Sequence, residues 1–331
     1  MFTRSRLLTI CVLLLMGLMP SVPQAFAATS GPPSSLTWVD MSPMPTPRYS
    51  TSVAVSREQR IYVIGGDNWY CTPLTTVEEY APGPNTWRAR AALPTGRWGL
   101  GAATGADGRI YAIGGFGGAC GNTALGTVEA YDPKSNTWTT RAPMPTPRAV
   151  LGVVAGANGK IYAVGGRDFT NNYLGTVEEY DPVSDTWTPK ANMPVPQRSF
   201  GSVSASNGKI YVMGGVNVDA QAVWEFDPVA DTWVQKASMP TPRDTFGAAE
   251  VKNGLIYAVG GVNGTGMLNA VDAYNPATDT WTSVTGLHAV RHGEVVAAVN
   301  KSIYAIGGWG RRSDDSVGPL GRVEAAKTPN D

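Results

Sequence analysis

Six arginines recur at a near-fixed distance from a glycine pair. Arg48, Arg97, Arg148 and Arg243 stand seventeen residues before its first glycine, and Arg198 and Arg291 stand sixteen before it. One guanidinium per repeat would ring an opening with paired donors, and such a rim could grip the carboxylates of acidic peptides or sialic acids. The same regularity admits a structural use, in which each arginine pins its strand to a neighbouring backbone or acid. Positions where one repeat departs from the others are a sharper guide. Thirteen residues before the pair stand Ser52, Gly101, Gly152, Gly201 and Gly247, all small, but Glu294 in the last repeat. A carboxylate on an innermost strand is costly unless paired or wet. Glu294 therefore reads either as an acid or base, with Arg291 or Arg48 as cationic partner, or as a group that answers Arg291 or a channel water. Beside the arginines sit Tyr49, Trp98, Asp244 and His292, each different. With Trp69, Tyr70, Phe116, Phe169 and Trp309 they would make an aromatic and polar floor for stacking against sugars or holding a peptide.

Other chemistry is sparse. The only histidines, His288 and His292, fall on a link running into an extended strand, where a spacing of four holds them too far apart to share a metal. No metal site or cofactor is expected. No nucleophilic serine stands at a strand-turn-helix, and "GLGAATG" at 99–105 has no helix behind it to hold a dinucleotide.

The elements that must position these groups are short strands. The 331 residues are 43% hydrophobic, with 39 glycines, 10 tryptophans and 13 tyrosines, a composition of many strands and tight turns. Residues 1–27 have the zones of an export signal: Arg4 and Arg6, an apolar stretch from Leu7 to Met19, and Ala25-Phe26-Ala27 for cleavage after Ala27. A secreted or periplasmic protein is expected, with no membrane span. Removing that segment leaves 24 basic against 26 acidic side chains, so nothing in the charge favours nucleic acid. Cys71 and Cys120 each lie five residues beyond the second glycine of their pair. In an exported chain two cysteines on equivalent loops read as a disulfide, worth up to roughly 4 kcal/mol for a loop of that length; two free thiols are the alternative.

The repeat itself is plain. An apolar-Tyr-apolar run ends in Gly-Gly six times, with first glycines at 65, 114, 165, 214, 260 and 307. Five of these runs lead to an aromatic followed seven residues later by tryptophan, as in "YDPKSNTW", a spacing that suits a hairpin with Asn or Asp at a left-handed turn position. Each unit then has four strands, which is the signature of propeller blades. On the glycine pairs, the Tyr/Phe-to-Trp spacing and "PTPR" before the inner strand, residues 35–326 resemble the kelch-repeat family. The units run about 48–90, 97–141, 148–190, 198–236, 243–284 and 291–326, the last lacking a tryptophan strand that residues 35–39, with Trp38, can supply. The expected fold is an all-β, six-bladed propeller over residues 28–331, closed by its N-terminal strand.

The resemblance implies binding as the commonest use, and the leading expectation is a monomeric binding module without enzymatic activity that recognises a protein or glycan. The variable segments after each glycine pair share one face with the links between blades, and that face is the expected binding surface. The alternative is a sugar-active enzyme, since exported sialate mutarotases are similar to this scaffold. Galactose oxidase is also similar, but needs a copper site that two histidines so placed cannot supply.

Overall fold

The spacing from aromatic to tryptophan closes a hairpin in every full repeat. In the computed structural model, which describes residues 35–70, 72–216 and 219–328, Tyr80 faces Trp87, Tyr131 faces Trp138, Tyr180 faces Trp187, Phe226 faces Trp233 and Tyr274 faces Trp281. The paired rings sit 4.8 to 5.0 Å apart. The turn is made by Asn85, Asn136, Asp185, Asp231 and Asp279, all at φ of 55° to 57°, a left-handed conformation that Asn and Asp tolerate. Their side-chain oxygens also accept the amide of the link entering the same blade, as Asn85 does from Ser42 and Asn136 from Ala91. Each tryptophan then donates its indole N–H to that link, Trp87 to Ser42 and Trp138 to Ala91. The hairpin signal in the sequence is thus also the device that docks one blade onto the connection from the last.

Among the described residues, six antiparallel four-stranded sheets form. The first runs through Ser52–Val55, Ile61–Ile64, Val77–Ala81 and Thr86–Ala89 in chain order. The sixth contains Val295–Val299, Ser302–Ile306 and Val323–Lys327, and its fourth strand is Thr37–Met41 from the other end of the chain. Trp38 donates to the carbonyl of Thr285, in the link entering that blade, as the other tryptophans do in theirs. Each innermost strand packs against the innermost strands of both neighbours, and Ser52–Val55 meets Val295–Val299, so the circle is closed. The core lies in the seams: Ile61, Val63 and Tyr80 of the first blade pack on Val295, Ala297, Val299 and Ile306 of the sixth. Each such aliphatic burial stabilises by about 1.5–3 kcal/mol.

The glycine pair is required where the second strand leaves the seam. Gly65 and Gly66 have φ of 62° and 104°, and a Cβ on Gly65 would stand 2.5 Å from the carbonyl oxygen of Arg97 in the next blade. Because the pair approaches so closely, the amide of Gly66 reaches that same oxygen at 3.0 Å.

The expected signal peptide, residues 1–27, lies outside the described residues. No helix among those described is long and apolar enough to cross a membrane.

Candidate functional site

Five of the six arginines are not a rim. Arg48, Arg97, Arg148, Arg243 and Arg291 are wholly buried, each on a carboxylate of its own blade: Glu78, Glu129 and Glu178 at 2.5 Å, and Asp272 and Glu324 likewise. Arg48 and Arg97 also donate to strand carbonyls, of Val63 and Ala112 at 3.1 and 3.0 Å. Thr46, Thr95 and Thr146 of the "PTPR" type links donate their hydroxyls to the second oxygen of the same glutamates. Burial lowers the basicity of these arginines and the paired acid opposes it. The sequence expectation that Arg48, Arg97, Arg148 and Arg243 bind ligand is thereby corrected, as is the use of Arg291 or Arg48 as a partner for Glu294. A guanidinium paired with the acid of its own blade and closed off from solvent is out of a ligand's reach.

The fourth blade breaks the pattern. Its buried position is held by Gln197, and Trp224 stands where Glu78, Glu129 and Glu178 stand in earlier blades. Arg198 is one residue further on. Its backbone bridges Val216, the same pairing that Tyr49, Trp98, Ala149 and Asp244 make with the residue after their own glycine pair, and His292 makes with Trp309. Arg198 therefore belongs to the mouth with Tyr49 and Trp98, and not with the arginines it seemed to match in sequence. Arg291, also sixteen residues before its pair, is by contrast a true equivalent. The inner hairpin of its blade is one residue shorter, with Val299 pairing directly to Ser302.

That shorter hairpin also moves Glu294. A circle of six backbone hydrogen bonds fixes the alignment: Ser50 donates to Gly293, Gly99 to Ser50, Val150 to Gly99, Ser199 to Val150, Thr245 to Ser199 and Gly293 to Thr245. All six residues have positive φ. Counting on from this circle, Glu294 is equivalent to Thr51, Leu100, Leu151, Phe200 and Phe246, and Val295 is equivalent to the small residues Ser52 and Gly101. The circle and the residues just after it, among them Ser52, Ser202, Glu294 and Val296, line a channel cavity of about 260 Å³.

Around the mouth the chemistry is uneven. On the sixth and first blades, Trp309 lies 5.1 Å from Tyr49 and 4.6 Å from Trp69, whose ring is 66% exposed. Tyr70 and Phe169 are exposed too, at 79% and 68%. On the second blade Trp98 packs at 4.9 Å on Phe116, which is buried. The third and fourth blades, across the channel from the sixth and first, carry two half-buried cations. Arg167 lies 4.5 Å over the Phe116 ring and Arg198 lies 5.2 Å over that of Tyr173. Neither has a carboxylate within 4.0 Å among the described residues. Arg167 donates to Asn171 and Arg198 to Ser199, while the Nε of each is buried without a partner. Burial, and then the charge of Arg198, lower the basicity of Arg167. On the fifth and sixth blades Asp244 accepts from Thr245 and faces His292, whose basicity is lowered by burial and raised in part by Asp244.

The structure thus brings Tyr49, Trp69, Trp98, Arg198, Asp244, His292 and Trp309 to one mouth. Arg167 and Tyr173 escaped the sequence reading. Arg167 directly follows a glycine pair, where the other blades have Asp67, Phe116, Val216, Val262 and Trp309, and that contrast was the available signal. Cys120 is exposed on a short turn at φ 54° and is unbridged among the described residues, and Cys71 lies outside them. Asp40, His288 and Glu324 cluster at the closure, but Glu324 is already held by Arg291, Arg322 and the amide of His288.

Comparison with known proteins agrees with this architecture. The KLHDC2/KLHL20/DRC7 Kelch-repeats domain matches residues 33–215 and 140–308. No curated protein matches the chain. The solved structure of YjhT superposes with a TM-score of 0.69 at 18% identity, over 85% of this chain and 95% of that one, a likeness of fold alone. Repeats that dock through a tryptophan, turn on a glycine pair and together span almost the whole described chain place this protein in the kelch-repeat family.

Proposed function

We propose that this kelch propeller is a secreted, non-enzymatic binding module that takes a protein or glycan at the face bearing the channel mouth. The fold supports a binding or scaffold role. The observation that carries the finer reading is the displacement of one arginine. Where five blades bury the guanidinium against an acid, the fourth gives up both members of the pair and presents Arg198 near Arg167, half-buried and without a carboxylate among the described residues. Cations so placed suit an acidic group on the ligand, and the exposed Trp69 stacked on Trp309 offers a face for a sugar ring or an apolar side chain.

Arrays of glycans and of peptides test this with wild type and the Arg167→Gln/Arg198→Gln variant. Loss of two charge-assisted contacts should weaken binding by at least about tenfold, or ~1.4 kcal/mol. Undiminished binding by the double variant would refute the site.

The enzymatic reading, a sialate mutarotase, now rests on Glu294 without Arg291 or Arg48, since both are committed elsewhere. A sialate-anomerisation assay decides it: activity lost in Glu294→Gln would establish the enzyme, and none in wild type would end that reading.

A further inference from the structure

Glu294 holds the strangest position in the molecule. In the second, third and fourth blades the equivalent side chain, Leu100, Leu151 or Phe200, reaches across the seam to the first glycine of the preceding blade, Gly65, Gly114 or Gly165. Glu294 does the same with a carboxyl group, which occupies the space a Cβ on Gly260 would need. It is 4% exposed, and neither carboxyl oxygen has a hydrogen-bond partner among the described residues. The nearest cations attract it without hydrogen-bonding it. Arg243, from the fifth blade, is engaged by Asp272, and Arg291, from the sixth, by Glu324. The amides of Glu294 itself and of Gly247 lie close enough to favour the charged form without completing a hydrogen bond. Asp244 and His292 flank the seam at the mouth.

Burial outweighs these attractions and pushes the pKa of Glu294 up to about 8. As a neutral acid it is a polar but uncharged wedge. As a carboxylate it would be an unpaired charge in a seam packed elsewhere with hydrocarbon, a state that proteins avoid by moving the group to water.

We propose that Glu294 is a proton-dependent latch on the seam between the fifth and sixth blades, filling the wedge when protonated and leaving it when ionised, so that the hydrogen-bonded circle loosens at Gly293. Gly293 precedes Glu294 directly, donates to Thr245 and accepts from Ser50, so displacement of the carboxyl pulls on two bonds of that circle. His292, which shapes the mouth, is one residue further back. The latch goes beyond the binding reading and stands or falls without it.

The folded protein holds this proton to a higher pH than the unfolded chain does, so stability from it is full below the ordinary value of 4.5 and is lost as pH rises toward about 8. His292 acts in the opposite sense, but only at and below its ordinary range, so measurements from pH 6.5 to 9.5 lie above its transition, and the Glu294 variants subtract the groups common to all three proteins. Thermal unfolding of the full chain across that range should show Tm falling by about 4 °C in wild type and staying level in Glu294→Leu and Glu294→Gln. Above pH 8, amide exchange at Ser50 and Gly293 should be faster in wild type than in Glu294→Gln at the same pH. A carboxyl titration of wild type by carbon-13 NMR serves as a second reading that needs no variant to fold. Titration near 4.5, or the same fall in Tm in both variants, would overturn the latch.

Discussion

At the scale of single residues, the instructive comparison is between Arg148 and Arg198. Arg148 is fixed by four donors' worth of geometry: Glu178 at 2.5 Å and the carbonyls of Thr146, Ala163 and Gly165 at 2.9 Å. Removing one member of a buried pair strands the other, which costs about 3–5 kcal/mol. Arg148→Gln should therefore lower stability by that order in denaturant unfolding. The fourth blade supplies a control, because Gln197 and Trp224 replace both members there. The double variant Arg148→Gln/Glu178→Trp should recover a large part of the loss, and a double variant no more stable than the single one would show that the fourth blade has compensations of another kind. Arg198→Gln, by contrast, breaks no ion pair among the described residues and should leave the unfolding free energy within about 0.5 kcal/mol of wild type.

At the scale of the strand and its turns, the glycine pairs decide how close two blades come. Gly114 has φ of 65°, and a Cβ there would stand 2.6 Å from the carbonyl oxygen of Arg148 in the next blade, a backbone atom that cannot step aside. Gly114→Ala should cost about 1–3 kcal/mol from conformation alone, with the clash added. Gly83, at a hairpin tip, has nothing within 4 Å of such an atom, so Gly83→Ala should be close to neutral. Equal effects at both sites in thermal unfolding would contradict the account. Elements at this scale were largely legible in the sequence: pairs such as Tyr80 with Trp87, and Asn85 at the turn, are where spacing and turn chemistry put them. The register of the inner strands was not. Counting back from the glycine pair misplaced Arg198 and Glu294 because one hairpin is a residue shorter and one blade has Gln197 in the arginine's place. A deletion in a turn changes sequence distance without changing which residues face each other.

At the scale of the whole molecule, closure joins residues nearly 290 positions apart. Thr37–Met41 pairs along its full length with Val323–Lys327, from Thr37 opposite Lys327 to Met41 opposite Val323. Trp38 and Leu36 are buried in the seam with Tyr257, Val259 and Ile303. Deleting residues 30–40 removes this strand, exposes the edge at Val323–Lys327 and opens the seam core. A Trp38→Ala change alone should cost about 3–5 kcal/mol, and the deletion should lower Tm further still. A melting temperature unchanged by the deletion would mean that the ring does not depend on its closing strand.

The sequence by itself determined the propeller, its repeat and the strand that closes it, because those features rest on local rules: two-residue periodicity, turn residues with a left-handed preference, and a glycine wherever backbone meets backbone. It also named most residues of the mouth, since aromatic and charged groups on variable loops stand out against a repeated frame. Only the tertiary structure decided which charges are free. Burial and pairing are properties of what comes from the next strand and the next blade, so Arg48 and Arg198 look alike along the chain, yet one is sealed against Glu78 and the other faces the mouth. Glu294 shows the same limit: its type was visible, but whether its carboxyl meets water, a cation or a glycine in another blade was settled only by the fold.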